Sequence, residues 1–91
     1  MAQVARHLRI TGRVQGVAYR AWTHGMATQL GLSGWVQNQH DGSVMALVAG
    51  GDAAVDKMIS ACWGGPGAAQ VSDVQVTPAD PPDTPGFTIL R

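Results

Sequence analysis

Apolar and polar positions alternate along most of this chain in short runs punctuated by glycine and proline, and twice the alternation gives way to a helical repeat. Leu8 and Ile10 alternate with Arg9 and Thr11, the period of two expected of a strand with one buried face, and the run stops at Gly12. From Arg20 to about Leu30 the apolar residues Trp22, Met26, Ala27 and Leu30 recur at helical spacing, with Gly31 as a C-terminal stop. Gly25 inside that helix costs about 1 kcal/mol relative to alanine, a deficit that packing has to offset. Trp35 and Val36 open a second strand and Val44 to Val48 form a third. Between them, Asn38-Gln39-His40-Asp41-Gly42 has the composition of a hairpin loop and predicts antiparallel pairing. Asp52 reads as the N-cap of a second helix whose apolar stripe is Val55, Met58, Ile59 and Cys62. The Gly64-Gly65-Pro66-Gly67 cluster ends it, and Val71, Val74 and Val76 mark a fourth strand with an irregularity near Ser72 and Asp73. After a stiff connection through Pro78, Pro81, Pro82 and Pro85, Phe87 and Ile89 alternate with Thr88 and Leu90 in a closing strand.

The order of elements is βαββαβ with a short extra C-terminal strand. With right-handed crossovers it predicts an α+β fold, the ferredoxin-like α/β sandwich, in which two helices cover one face of an antiparallel sheet. At 91 residues the chain has room for one compact domain, residues 1–91, and its 45% apolar and 13% charged composition is that of a globular protein.

Charge narrows the function classes. Six basic and six acidic side chains cancel, so no long-range field gathers nucleic acid or anionic membrane, and any anion site has to be local. The single cysteine, Cys62, cannot form an intramolecular disulfide, and the opening stretch MAQVARHLRI lacks the apolar run of a signal peptide. Both point to a cytoplasmic, soluble protein, and no stretch approaches the roughly 20 apolar residues that span a bilayer. His7, His24 and His40 have no ligand spacing, so no metal is expected. Trp22, Trp35 and Trp63 fit core or edge packing better than a base-stacking platform, since RNA-binding domains of this topology place aromatics on central strands beside basic residues. Cys62 lies on the apolar stripe, where a small buried hydrophobe is expected rather than a nucleophile. Asp41, Asp52 and Asp56 fit turn or cap roles, with no carboxylate pair for acid–base work.

The chemistry concentrates in Gly12-Arg13-Val14-Gln15-Gly16-Val17-Ala18-Tyr19-Arg20, which joins the first strand to the first helix. Two glycines let this backbone curl, and its N–H groups then lie beside the positive end of a helix dipole, a geometry suited to anions. Arg20 adds a planar fork of donors for a phosphate. No Gly-Lys-Ser/Thr follows, so this is neither a Walker loop nor a dinucleotide fingerprint. A glycine-bearing connection of this kind also serves turn geometry alone in many folds, and the loop by itself leaves both readings open. Asn38 is the second candidate: its amide can accept from a water while donating to a phosphoryl oxygen, or it can simply cap its own turn.

Three linked blocks then carry a resemblance. Gly12-Arg13-Val14-Gln15-Gly16-Val17 with Arg20, Gly31-Leu32-Ser33-Gly34-Trp35-Val36-Gln37-Asn38, and Asp41-Gly42-Ser43-Val44 resemble the acylphosphatase signature in order and spacing, and the likeness continues through Gly65-Pro66, Ala69-Gln70-Val71 and Gly86-Phe87-Thr88-Ile89. The resemblance implies a cofactor-free enzyme that hydrolyses small acyl phosphates to a carboxylate and inorganic phosphate, and a monomer is expected. It implies that Gln15, Gly16, Val17, Ala18, Tyr19 and Arg20 cradle the phosphate and that Asn38 orients the attacking water. Ala18, Gln39 and Met45 depart from residues common in the family. A non-catalytic phosphate-binding module of the same fold is the alternative.

Overall fold

The computed structural model describes residues 3–91; Met1 and Ala2, the start of the N-terminal stretch read above, lie outside the described residues. In chain order the elements are β1 (Gln3–Arg13), α1 (Tyr19–Gln29), β2 (Ser33–Asn38), β3 (Val44–Gly51), α2 (Asp52–Cys62), β4 (Gln70–Pro78) and β5 (Phe87–Leu90). The sheet runs β4-β1-β3-β2-β5. The first four strands pair antiparallel, as the order of elements and the hairpin loop predict, whereas β5 joins β2 in parallel and makes the sheet mixed at that edge. The proline-rich connection after Pro78 carries the chain from one edge of the sheet to the other, held by Ala79 N–H to the Ala5 carbonyl at 3.2 Å and Gly34 N–H to the Gly86 carbonyl at 3.0 Å.

Period-two alternation explains the layering. Leu8, Ile10, Val36, Val44, Ala46 and Val48 point to one face and are buried against both helices, which contribute Tyr19, Ala27, Val55, Met58 and Cys62. Each buried valine, leucine, isoleucine or methionine among them contributes about 1.5–3 kcal/mol of transfer free energy. The opposite face carries only a small cluster of Ala5, Leu47 and Ala49 beneath Trp35 and Ala79.

Several local expectations shift. The face that α1 buries is Tyr19, Thr23 and Ala27, while Trp22, Met26 and Leu30 are half-buried on its flank. Thr23 is tolerated at the centre because its Oγ1 donates to the Tyr19 carbonyl at 2.8 Å, leaving no polar atom unpaired. Gly25 is exposed, and a Cβ there would meet nothing within 4 Å, so packing does not call for glycine. The helix ends as its glycine predicts, with Leu32 N–H on the Ala27 carbonyl at 2.9 Å and Gly31 N–H on the Thr28 carbonyl at 3.1 Å. Asp52 is the first helical residue of α2 rather than its N-cap; Gly51 occupies the cap without a side-chain bond, and Asp52 acts on the helix dipole instead. On that helix Val55, Met58 and Cys62 are buried and Ile59 is half-buried. Trp63, expected to pack, is 49% exposed because it falls at the C-cap, one residue beyond the buried stripe. The irregularity in β4 is a bulge at Ser72, since Thr11 pairs with Asp73 and Gly12 with Val71. Gly12 is required opposite it: at φ 115° a Cβ would sit 2.3 Å from the Gln70 carbonyl oxygen.

Candidate active site

Strand direction gathers the candidate residues. β1, β2 and β5 all run one way and β3 and β4 the other, so the C-terminal ends of three strands meet at one end of the sandwich. A cavity of about 350 Å³ opens there. The β1–α1 loop lines it with Gln15, Gly16 and Ala18, the first turn of α1 with Tyr19 and Arg20, the end of β2 with Asn38, and the end of β5 with Ile89 and Arg91.

The loop is wound by two left-handed residues, Gly16 at φ 73° and Ala18 at φ 62°, ψ 26°. Such residues turn successive N–H groups toward a common side, and among the described residues the N–H groups of 15–21 make no hydrogen bond. The first bond of α1 is Trp22 N–H to the Ala18 carbonyl at 3.0 Å, so these donors coincide with the unpaired, positive end of the helix. Alanine in this conformation stores about 1 kcal/mol or more of backbone strain, which the surrounding packing has to hold.

The individual side chains divide into distinct jobs. Arg20 is half-buried, and its Nη1 donates to the Leu90 carbonyl at 3.3 Å, which steadies the guanidinium at the rim. Asn38 ends β2, and its Oδ1 is buried with no hydrogen-bond partner among the described residues. A buried acceptor left open in this way is costly unless a ligand or water fills it. Gln15 uses its side-chain amide on the β2–β3 turn, donating from Nε2 to the Gln39 carbonyl at 2.8 Å and the Ser43 carbonyl at 2.9 Å. Val17 packs its side chain against the core and does not line the cavity, so only its backbone joins the loop.

Tyr19 likewise offers its backbone N–H, because its ring is in the core and its hydroxyl donates to the Cys62 carbonyl at 2.7 Å. Burial, reinforced by the neighbouring Cys62, pushes the Tyr19 phenol well above its ordinary pKa. Burial also pushes the Cys62 thiol up to about 11, so both are neutral at physiological pH, and Cys62 is the inert hydrophobe its position predicts. At the turn, the Asp41 carboxylate accepts from Ser43 Oγ at 2.6 Å and Ser43 N–H at 2.9 Å and pairs with Arg9. The Ser43 hydrogen bonds, with Arg9, hold the Asp41 carboxyl below the usual carboxylate range.

Among the described residues no three His, Cys, Asp or Glu side chains come together. His7 sits edge-on to Trp35 and His24 edge-on to Phe87. Sequence reasoning missed Ile89 and Arg91 as site residues: alternation marks β5 as a strand but carries no sign of which strand it joins or in which direction.

Fold and cavity together define a ferredoxin-like sandwich with a cleft of backbone and side-chain donors at its strand ends. The acylphosphatase family model matches residues 6–89. An acylphosphatase of Rhodospirillum rubrum is 56% identical over 81 residues, covering 89% of each chain. One of Rhizobium meliloti is 53% identical over 85 residues, covering 92% of this chain and 90% of its own. The structure of an acylphosphatase from Coxiella burnetii superposes with a TM-score of 0.92 at 30% identity, over 97% of this chain and 93% of that one. The chain belongs to the acylphosphatase family of hydrolases. Among the described residues no helix is long and apolar enough to cross a membrane.

Proposed function

We propose that this enzyme hydrolyses the carboxyl–phosphate anhydride of small acyl phosphates with the phosphoryl group in the loop of residues 15–20 and a water on Asn38. The convergence of unpaired N–H groups, the Arg20 guanidinium and the open Asn38 Oδ1 on one cavity carries this reading. The backbone of Gln15, Gly16, Val17, Ala18, Tyr19 and Arg20 and the Arg20 fork bind the phosphoryl oxygens and stabilise charge as the bond to the leaving group breaks. Asn38 Oδ1 accepts from the attacking water while its amide donates to a phosphoryl oxygen. The water oxygen bonds to phosphorus opposite the acyl oxygen, whose bond to phosphorus breaks. One water proton passes to a phosphoryl oxygen of the substrate, so an acyl phosphate dianion and water yield a carboxylate and dihydrogen phosphate. No side-chain base is needed, because the carboxylate is a good leaving group and phosphoryl transfer asks mainly for position and charge stabilisation.

We propose a monomeric, cytoplasmic enzyme; the balanced charge argues against nucleic-acid or anionic-membrane partners, and the single buried thiol fits a reducing compartment. The one main core shared by both helices and the sheet supports residues 1–91 as a single domain.

Hydrolysis of benzoyl phosphate tests the mechanism. Arg20→Ala and Asn38→Ala should each lower kcat/KM by about 10²–10³-fold. Competitive inhibition by inorganic phosphate should weaken mainly in Arg20→Ala, and wild-type turnover should be the same with a chelator present. A folded wild type that binds phosphate without turnover would leave a binding module, and indifference to Arg20 would overturn the site.

A further inference from the structure

Gln15 belongs to the loop, yet its amide reaches across to the turn that follows Asn38. Both hydrogens of Nε2 are used, one on the Gln39 carbonyl at 2.8 Å and one on the Ser43 carbonyl at 2.9 Å. Neither carbonyl depends on it. Gln39 O already accepts from Gly42 N–H at 3.2 Å, and Ser43 O from Gln39 N–H at 2.9 Å, so the turn closes on its own backbone. From the other side the turn is braced by Asp41, which binds Ser43 twice and pairs with Arg9 of β1. What the amide adds is a direct link between the loop and the residue next to Asn38.

We propose that Gln15 is a positioning residue that fixes the separation between the phosphate-binding loop and Asn38. This rests on the acylphosphatase mechanism above. In-line attack needs phosphorus, held by the loop, and water, held by Asn38, in one alignment, although the two groups stand on different elements and are 23 residues apart in sequence, 38 − 15. A misplacement of about 1 Å between reacting groups costs on the order of a hundredfold in rate. Among the described residues, two Gln15 bonds are the only side-chain hydrogen bonds from the loop to that turn. Without them the loop still presents its N–H groups, but their distance from the water site is held only indirectly, through the sheet and the Arg9–Asp41 pair.

Gln15→Met keeps the length and removes both donors. Its kcat for benzoyl phosphate should fall by about tenfold to a hundredfold. KM and the inhibition constant for inorganic phosphate should change by less than about threefold, since the two bonds lost are made to the turn and not to the phosphate. In an Asn38→Ala background the same substitution should change kcat by less than about threefold, because no held water remains to misalign. An equal loss in both backgrounds overturns the proposal, as does a rise in KM with kcat unchanged, which would make the side chain a phosphate ligand. If Asn38→Ala alone turns over like the wild type, the water-holding role itself fails, and the link to Asn38 fails with it. Should circular dichroism show Gln15→Met unfolded, Gln15→Asn, one methylene short of the two carbonyls, carries the same comparison.

Discussion

Asn38 and Cys62 both carry uncharged side chains with a group able to hydrogen-bond, and the fold treats them in opposite ways. Asn38 keeps an open acceptor at a cavity, whereas Cys62 is sealed between helix and sheet with its thiol pushed up to about 11 by burial. Tyr19, also buried, is displaced in the same direction. The folded state therefore holds these protons to higher pH than the unfolded chain does. Their contribution to stability is complete below the ordinary thiol pKa and is lost as pH rises toward the folded values. Tm should fall as pH is raised from about 8 to 11, and Cys62→Ala should flatten the first part of that decline; a slope that ignores Cys62 would contradict the burial argument. Arg20 and Asn38 were legible as candidates because a guanidinium after a glycine-bearing loop and an amide at a strand end have recognisable chemistry. The amide of Gln15 was not, since nothing in its neighbours in sequence shows that its partners, Gln39 and Ser43, lie on another hairpin.

Both helices and all five strands follow from period and punctuation, but details that depend on neighbours do not. Helical spacing located α1 while misplacing its buried stripe by a residue or so, because the long ring of Tyr19 reaches the core and a threonine can enter it by bonding its own helix. Strand alternation located β5 without revealing that it lies parallel to β2, and that orientation brings Ile89 and Arg91 to the cavity. The exposed Gly25 gives α1 a conformational cost that no contact requires. Gly25→Ala should accordingly raise stability by about 0.5–1 kcal/mol, read as a rise of a few degrees in Tm with kcat/KM unchanged. A loss of stability would mean that this turn needs a backbone freedom its exposed position does not suggest.

The cavity is assembled from parts of the chain that lie far apart in sequence: the loop after β1, the end of β2 and the end of β5. The Arg20 guanidinium reaches the Leu90 carbonyl across 70 positions, and the sheet cannot place that carbonyl until the proline-rich connection has carried the chain from the β4 edge to the β2 edge. In physical terms the wall of the site is among the most non-local features of the molecule, and closing so long a loop is slow compared with forming a helix. During synthesis on the ribosome, loop, helices and first hairpin can all be in place while the protein should still be silent, since the cavity wall and the Arg20 partner supplied by residues 87–91 have yet to emerge and dock. Turnover then reports the arrival of the last strand rather than collapse of the core. In refolding from denaturant, helical circular dichroism should recover before hydrolysis of benzoyl phosphate does, and equal rates for the two signals would show that β5 docks together with the rest.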